Sequence, residues 1–301
     1  LCRLQQMGRS RVYVQSGSPP SGEWVHENDA ALAFAQRMAG EHVVYQDTPR
    51  EGKVGFQSEI DGLLCIDREK LQGFNLVPEV MCASHHADTP VEKDKTIAGC
   101  RAIPLYLRRD NLGKALAALQ QGPVFEVLPF QKMRAGILIT GTEVFNGLVQ
   151  DKFDPVIRQK VQSFGSEVLS SQIVPDQRDK IRESIVGMLD AGVDLLVTTA
   201  GLSVDPDDVT RQGLLDAGLE DILYGMPVLP GAMSLVGRIG NCRVIGVPAC
   251  ALFHKTTGFD LLLPRILAGK GITRREISGF GEGGLCLGCK TCTFPKCPFG
   301  R

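Results

Sequence analysis

Residues 194–210 read Asp-Leu-Leu-Val-Thr-Thr-Ala-Gly-Leu-Ser-Val-Asp-Pro-Asp-Asp-Val-Thr. The apolar run Leu195–Val197 predicts a strand of a parallel sheet that is covered on both faces. In the loop that follows, Gly201 and Ser203 would let backbone N–H groups and a hydroxyl approach an anion. Asp205, Asp207 and Asp208 could hold Mg²⁺ against it. The alternative is a loop that only caps the next helix, with an aspartate near the N-cap.

Length and composition set limits on the class of protein. A chain of 301 residues can form two domains with separate cores. The net charge of -1 gives no general attraction for nucleic acid or for an anionic membrane. We find no segment of membrane-spanning length and no secretory signal, which predicts a cytoplasmic protein without nucleic-acid or membrane partners. The first residue is Leu1, so we expect the natural start to be missing.

The ten cysteines fall into two groups. Six are scattered along the chain and are predicted to be small core residues: Cys2, Cys65, Cys82, Cys100, Cys242 and Cys250. The other four lie within the last sixteen residues. Scattered thiols together with one tight cluster are typical of a reducing cytoplasm and a metal site.

The clustered cysteines follow the pattern Cys286-x2-Cys289-x2-Cys292-x4-Cys297-Pro298. Three cysteines at three-residue steps and a fourth before proline resemble the ferredoxin run for a [4Fe–4S] cluster, although the last gap is longer here. Because each Cys-x2-Cys is also a zinc knuckle, Zn²⁺ is the alternative ligand, and a redox-active thiol tail is the third. For either metal we expect a structural role, since the tail has few large apolar residues.

Three parts are predicted along the chain: residues 1–132, 133–272 and 273–301. The first is predicted to be a smaller β-rich α+β region, with a helix over 28–40, a helix over 112–120, and strands over 42–45, 53–57, 62–66, 79–83, 102–107 and 124–128. His85 and His86 are predicted to lie in an exposed loop rather than to bind a metal, because no third ligand is near in sequence.

The second part alternates strand and helix signals, and we predict an α/β fold with an open, mostly parallel sheet and helices on both faces. The predicted strands cover 135–140, 166–174, 195–199 and 244–247, and the predicted helices cover 155–164, a segment from Asp179, and 253–267. On the helix from Asp179, the expected apolar face is Ile181, Ile185, Val186 and Leu189. Because parallel sheets bind ligands beyond the carboxyl ends of their strands, the polar residues there are candidates for one site.

These residues carry a family resemblance. Thr140-Gly141-Thr142-Glu143, Val174-Pro175-Asp176 and the 198–210 stretch are similar, in this order, to the signature motifs of the molybdopterin-binding domain of molybdenum-cofactor biosynthesis enzymes. Later turns at 229–231 and 246–250 also resemble it. The nearest resemblance is to a molybdopterin molybdenumtransferase-like subgroup with a similar cysteine tail.

The resemblance implies a function and a set of site residues. It implies binding of molybdopterin, free or adenylylated, and insertion of molybdate with release of AMP, assisted by Mg²⁺. The implied catalytic acids are Asp208, Asp176 and Glu143. The implied binding residues are Thr140, Gly141, Thr142, Thr199, Gly201, Ser203 and Pro248. A homo-oligomer is implied, and other molybdenum-cofactor or molybdoenzyme proteins are implied partners.

Departures from the family pattern keep two other functions open. The usual Gly-Gly is Ala200-Gly201, and the usual Pro-Gly-Asn turn is Pro248-Ala249-Cys250. A methyl group at each position restricts the backbone and its approach to a ligand. The N-terminal part also lacks the active-site motif of standard molybdenumtransferases. The alternatives are a non-catalytic molybdopterin carrier or redox sensor, and a nucleotide pyrophosphatase of the competence-damage-inducible type.

Overall fold

The structure is a computed structural model that describes residues 22–199 and 209–300, together with Gln6 and Gly8. The chain divides into two compact units. The first unit contains the described residues up to Glu59, with Ile66–His85 and Asp94–Glu126. The second contains the described residues from Val127 onward, with the short segments Ile60–Cys65 and His86–Lys93.

The N-terminal part is β-rich, as the sequence predicts. Its elements are β1 (Trp24–His26), α1 (Glu27–Met38), β2 (Val43–Tyr45), β3 (Lys53–Ser58), β4 (Gly62–Ile66), α2 (Arg68–Asn75), β5 (Val80–Ser84), β6 (Thr89–Val91), β7 (Thr96–Ala102), β8 (Tyr106–Arg108), α3 (Arg109–Ala118) and β9 (Phe125–Pro129). They form sheets of order β1-β8, β2-β3-β7-β5 and β6-β4-β9. One prediction is wrong: the strand over 102–107 is interrupted by a bend at 103–105, where Pro104 has no N–H to donate.

The C-terminal part alternates strands and helices. Its elements are β10 (Arg134–Thr140), α4 (Thr142–Phe145), α5 (Phe153–Gln162), β11 (Glu167–Val174), α6 (Arg178–Asp190), β12 (Leu195–Thr199), α7 (Thr210–Asp216), β13 (Glu220–Tyr224), β14 (Leu235–Ile239), β15 (Cys242–Val247), a 3₁₀ turn (Ala249–Leu252), α8 (Gly258–Leu267) and α9 (Arg274–Gly279).

These strands form one six-stranded sheet of order β11-β10-β12-β15-β14-β13, in which the first four strands are parallel. Ile137 pairs with Val197, which pairs in turn with Ile245, so the centre of the sheet is wholly apolar. Ile137 packs with α5 and α8 in one buried cluster. Leu138 packs with α6 and α7 in another. Helices therefore cover both faces, and the predicted fold class is confirmed.

The structure adds detail at the end of the sheet and corrects two helix predictions. The sequence reading did not include β13 and β14, which join the sheet antiparallel. The helix predicted over 253–267 begins only at Gly258, because Thr257 and Asp260 form a capping box there. On α6, Val186 is 40% exposed and Met188 is buried in its place. Among residues 22–199 and 209–300, no helix is long and apolar enough to cross a membrane.

A buried ion-pair network lies within the second unit. Arg265 of α8 is 6% exposed, and its Nη2 lies 3.3 Å from Oδ2 of Asp88. Lys270 Nζ lies 2.5 Å from Oδ1 of the same carboxylate. Arg265 also donates to the Leu261 carbonyl and lies over the Phe280 ring at 4.7 Å. The charge of Arg265 is therefore compensated by one carboxylate that comes from a distant part of the sequence.

Candidate functional site

The carboxyl ends of the four parallel strands meet at one edge of the sheet. Thr140 pairs with Val174 across β10 and β11, and Thr199 pairs with Val247 across β12 and β15. Loops leave this edge at Gly141, Pro175 and Pro248, and β12 ends there at Thr199. The structure thus places Thr140, Asp176, Thr199 and Pro248 at one edge, as predicted. The predicted Gly201, Ser203 and Asp208 lie outside the described residues.

Asp176 joins two of these loops. Its Oδ2 accepts hydrogen bonds from the Thr142 N–H at 2.7 Å and from the Thr142 hydroxyl at 3.2 Å. The Asp176 N–H donates to Thr142 Oγ1 at 3.1 Å. The next helix, α6, has Gln177 as its N-cap, without a side-chain capping bond. The Asp176 side chain therefore joins two loops and does not cap α6.

Buried threonines lie beneath the same edge. The Thr140 hydroxyl donates to the Thr199 carbonyl at 3.0 Å and lies 2.7 Å from the Thr210 hydroxyl. Thr140 is only 2% exposed, so its hydroxyl holds β10, β12 and the start of α7 together. The hydroxyls of Thr198 and Thr199 are also buried, and no residue of the described ranges bonds to them. These side chains fix the positions from which the 200–208 loop starts and ends.

Gly141 and Glu143 occupy the turn that follows β10. Gly141 has a φ of 154°, in the region that favours glycine, and its N–H donates to the Val174 carbonyl at 3.1 Å. Glu143 is exposed in the first turn of α4, at the same edge as Asp176. Over 22–199 and 209–300, no three His, Cys, Asp or Glu side chains lie close enough to hold a metal ion. The predicted Mg²⁺ set also includes Asp208, so it remains a prediction.

Pro248 and Cys250 lie at the fourth loop. The Pro248 carbonyl accepts from the Ala251 N–H at 3.1 Å and starts the 3₁₀ turn. Burial raises the pKa of the Cys250 thiol above its usual range. A neutral thiol therefore stands where the resembling family has asparagine.

The four clustered cysteines line one cavity of about 380 Å³. All four are free thiols; Cys289 and Cys292 are exposed, and Cys286 and Cys297 are partly buried. Thr256 and Lys255 contribute to the wall of the cavity from the segment between the 3₁₀ turn and α8. The Thr256 hydroxyl lies 3.1 Å from Cys292 Sγ, and this hydrogen bond lowers the pKa of the Cys292 thiol.

The scattered cysteines differ from the tail cysteines in burial. Cys82, Cys100 and Cys242 are buried, as predicted, whereas Cys65 and Cys250 are only partly buried. Cys2 lies outside the described residues. Burial raises the pKa of the Cys82 thiol to about 12 and that of Cys242 to about 11. The pKa of Cys100 is raised in the same direction by burial.

This contrast predicts an order of thiol reactivity. In metal-free protein at pH 8, we expect iodoacetamide to alkylate Cys289 and Cys292 long before Cys82 or Cys100. With a pKa near 12, Cys82 has a thiolate fraction roughly a thousandfold below that of an ordinary thiol. Mass spectrometry of peptides after timed quenching measures the order, and unfolding in urea should abolish it. Equal rates for Cys82 and Cys289 in folded protein would contradict the burial that the structure gives.

Comparison with known proteins agrees with the resemblance read from the sequence. Residues 136–268 match the family model described as a probable molybdopterin binding domain. This stretch of the second unit is therefore similar to molybdopterin-binding domains.

Individual relatives cover only part of the chain. A CinA-like protein of Mycobacterium marinum is 37% identical over 99 residues, which is 30% of this chain and 23% of the relative. A CinA-like protein of Mycobacterium tuberculosis is 43% identical over 97 residues, with 29% and 23% covered. The chain thus spans about a quarter of the length of these relatives.

Solved structures of low sequence identity also match. The molybdopterin biosynthesis enzyme MoaB from Thermus thermophilus is 22% identical, covering 47% of this chain and 99% of that one, with a TM-score of 0.40. The molybdopterin biosynthesis Mog protein from Mycobacterium ulcerans is 23% identical, covering 44% and 94%, with a TM-score of 0.39.

Proposed function

We propose that this protein binds adenylylated molybdopterin at the carboxyl edge of the sheet and inserts molybdate with release of AMP. The observation that supports this most is the convergence of four strand ends, with Asp176 tying two of their loops together, inside a molybdopterin-binding domain. Ligands of open parallel sheets bind at this edge. The proposal therefore extends a similarity at the level of one domain to one substrate and one reaction.

Different loops at this edge would supply different parts of the chemistry. A pyrophosphate carries concentrated negative charge, and Mg²⁺ held by Asp176 and Asp208 would neutralise it while water cleaves the bond between the two phosphates. AMP then leaves, and the pterin keeps its own phosphate. Both hydrogen bonds to Asp176 fall on Oδ2, so Oδ1 is the oxygen that we assign to the metal. Glu143 would act from the neighbouring turn, and Gly201 and Ser203 would contact phosphate.

The test is AMP release from adenylylated molybdopterin by anaerobically purified protein, with and without molybdate and Mg²⁺. Release that requires both ions is the expected result. Binding of the pterin without release would instead make the protein a carrier or sensor, as the altered turn at 248–250 would favour. A homo-oligomer and a cytoplasmic location remain expectations. The same preparation can test the first, and cellular fractionation can test the second.

The Asp176→Asn variant tests the proposed charge at this site. Asparagine keeps an oxygen that accepts from the Thr142 N–H, so the two loops stay joined while the negative charge is lost. We expect AMP release to fall by roughly 100-fold or more, because a metal-binding group is removed. Asp179→Asn is the matched control, since Asp179 is exposed in the first turn of α6 only three residues away. Equal activity of the two variants would remove Asp176 from the mechanism.

The Asp208→Asn variant should likewise abolish metal-dependent turnover without loss of the fold.

A second candidate function is a nucleotide pyrophosphatase of the competence-damage type, which the similarity to CinA-like proteins favours. That function would cleave ADP-ribose without molybdate. Assaying both substrates on one preparation separates the two candidates, because only the first requires molybdate.

A further inference from the structure

The cysteine tail is a closed loop whose two ends are fastened to the second unit. The Leu229 N–H donates to the Gly284 carbonyl at 2.7 Å, and the Cys286 N–H donates to the Leu229 carbonyl at 2.8 Å. At the other end, the Gly300 N–H donates to the Gly283 carbonyl at 3.0 Å. Phe299 is 3% exposed and belongs to the buried cluster beneath the sheet. The segment between these ends is therefore held in place without a helix or strand of its own.

All four cysteines of this loop face one space. The cavity of about 380 Å³ is lined by Cys286, Cys289, Cys292 and Cys297. Cys286 and Cys297 also pack against the buried cluster, whereas Cys289 and Cys292 are exposed. Two partly buried thiols and two exposed thiols of the loop thus line the same cavity.

The size of this cavity distinguishes between zinc and an iron–sulfur cluster as its ligand. A zinc ion lies about 2.3 Å from each sulfur, so four zinc-binding thiols close around a single atom and leave no cavity. A cubic cluster of four irons and four sulfides has bulk of its own and holds its four cysteines apart around it. No three of the tail cysteines, which belong to the described residues 22–199 and 209–300, lie close enough to hold a single metal ion, whereas all four line one cavity; this arrangement matches the second case.

We propose that the four cysteines of the tail bind one four-iron, four-sulfide cluster in this cavity. Each thiol would lose its proton as it binds an iron atom. The three-residue steps between Cys286, Cys289 and Cys292 support this assignment, and Cys297, which lines the same cavity, would supply the fourth ligand. The cluster would order a segment that otherwise has few apolar side chains to bury.

The walls of the cavity suit a negatively charged cluster. Lys255 and Lys290 line it and would offset the charge of four thiolates. The Thr256 hydroxyl, 3.1 Å from Cys292 Sγ, would supply a hydrogen bond to a ligating sulfur. Hydrogen bonds of this kind position the ligands and adjust the reduction potential of a cluster.

The test is anaerobic reconstitution of the full chain with ferrous iron and sulfide, followed by gel filtration. We expect about four iron and four sulfide per chain to be retained, with the broad visible absorbance of an iron–sulfur cluster. Retention of a single zinc ion in competition with iron and sulfide would overturn the proposal. Failure to retain iron together with sulfide would also overturn it. This readout is independent of AMP release.

Serine variants localise the site. Cys289→Ser and Cys292→Ser should each retain less than about half of the wild-type iron and sulfide, since each removes one of four ligands. Cys65→Ser is the matched control, because Cys65 is a partly buried cysteine outside the tail. Full retention by both tail variants would contradict the proposal. Far-UV circular dichroism of each variant checks folding, and the wild-type measurement remains decisive if a variant does not fold.

Discussion

The Asp88→Ala variant is expected to lose about 3–5 kcal/mol of the free energy of unfolding. Asp88 is the carboxylate that compensates both Arg265 and Lys270. Removing it takes a carboxylate away from the Arg265 guanidinium, which is 6% exposed and lies in a region of low dielectric. The cost comes mainly from reduced charge compensation at this buried cation, and much less from the attraction that is lost. Urea unfolding followed by far-UV circular dichroism measures it.

Asp94→Ala is the matched control for this variant. Asp94 has a φ of 62° and Asp88 a φ of 60°, so both substitutions place alanine in the same left-handed backbone conformation. Asp94 is exposed. Its replacement should therefore cost about 1 kcal/mol or less. Similar losses for the two variants would mean that backbone conformation, and not charge, explains the effect at Asp88.

The Gly284→Ala variant is expected to loosen the cysteine tail. A Cβ at this position would lie 2.5 Å from the Phe280 carbonyl oxygen and closer still to that of Pro227. Both are backbone atoms, so the chain itself must move, at a cost of about 1–3 kcal/mol. If that cost falls on docking of the tail, the undocked population rises about 5- to 150-fold. Trypsin should then cleave after Lys290 correspondingly faster.

Gly271→Ala adds the same methyl group where no atom lies within 4 Å of it. The rate of cleavage after Lys290 in this control should equal that of the wild type, because proteolysis follows the population of the open form. Equal rates for Gly284→Ala and Gly271→Ala would show that the tail does not depend on close packing at Gly284.

The parallel sheet could be predicted from the sequence because three of its four parallel strands, β10, β12 and β15, contain continuous apolar runs. β12, at Leu195–Thr199, is buried at every residue, and the sequence marks it by composition alone. The antiparallel strands β13 and β14 were missed. In β13 the leading residues Glu220 and Asp221 are polar and exposed, so its composition resembles that of a loop. The alternating burial of β14, at Leu235–Ile239, was a signal that could have been used.

The sequence predicted only those features of the site that a single segment of the chain determines. The position of Asp176 after a strand predicted its location, but its partner Thr142 lies 34 residues away and follows from the fold. The cysteine spacing predicted a common ligand, whereas the contribution of Thr256 to the same cavity is visible only in the structure. His85 and His86 were predicted to lie in an exposed loop, and both are exposed. No signal in the sequence indicated that the carboxylate of Asp88, two residues later, is a largely buried counter-ion of Arg265.

The distance along the chain between Asp88 and its cations has a consequence for biosynthesis. A ribosome that adds about 5–20 residues per second needs roughly 10–35 s to make the 177 residues between Asp88 and Arg265. At the start of that interval the 60–65 and 86–93 segments are translated or nearly so, whereas Arg265 and Lys270, the cations that Asp88 contacts, are translated only at its end. The second unit therefore cannot form its contacts in the order in which its residues are synthesised. A gene fragment that starts at Met133 would encode the whole sheet yet omit the counter-ion of its own arginine.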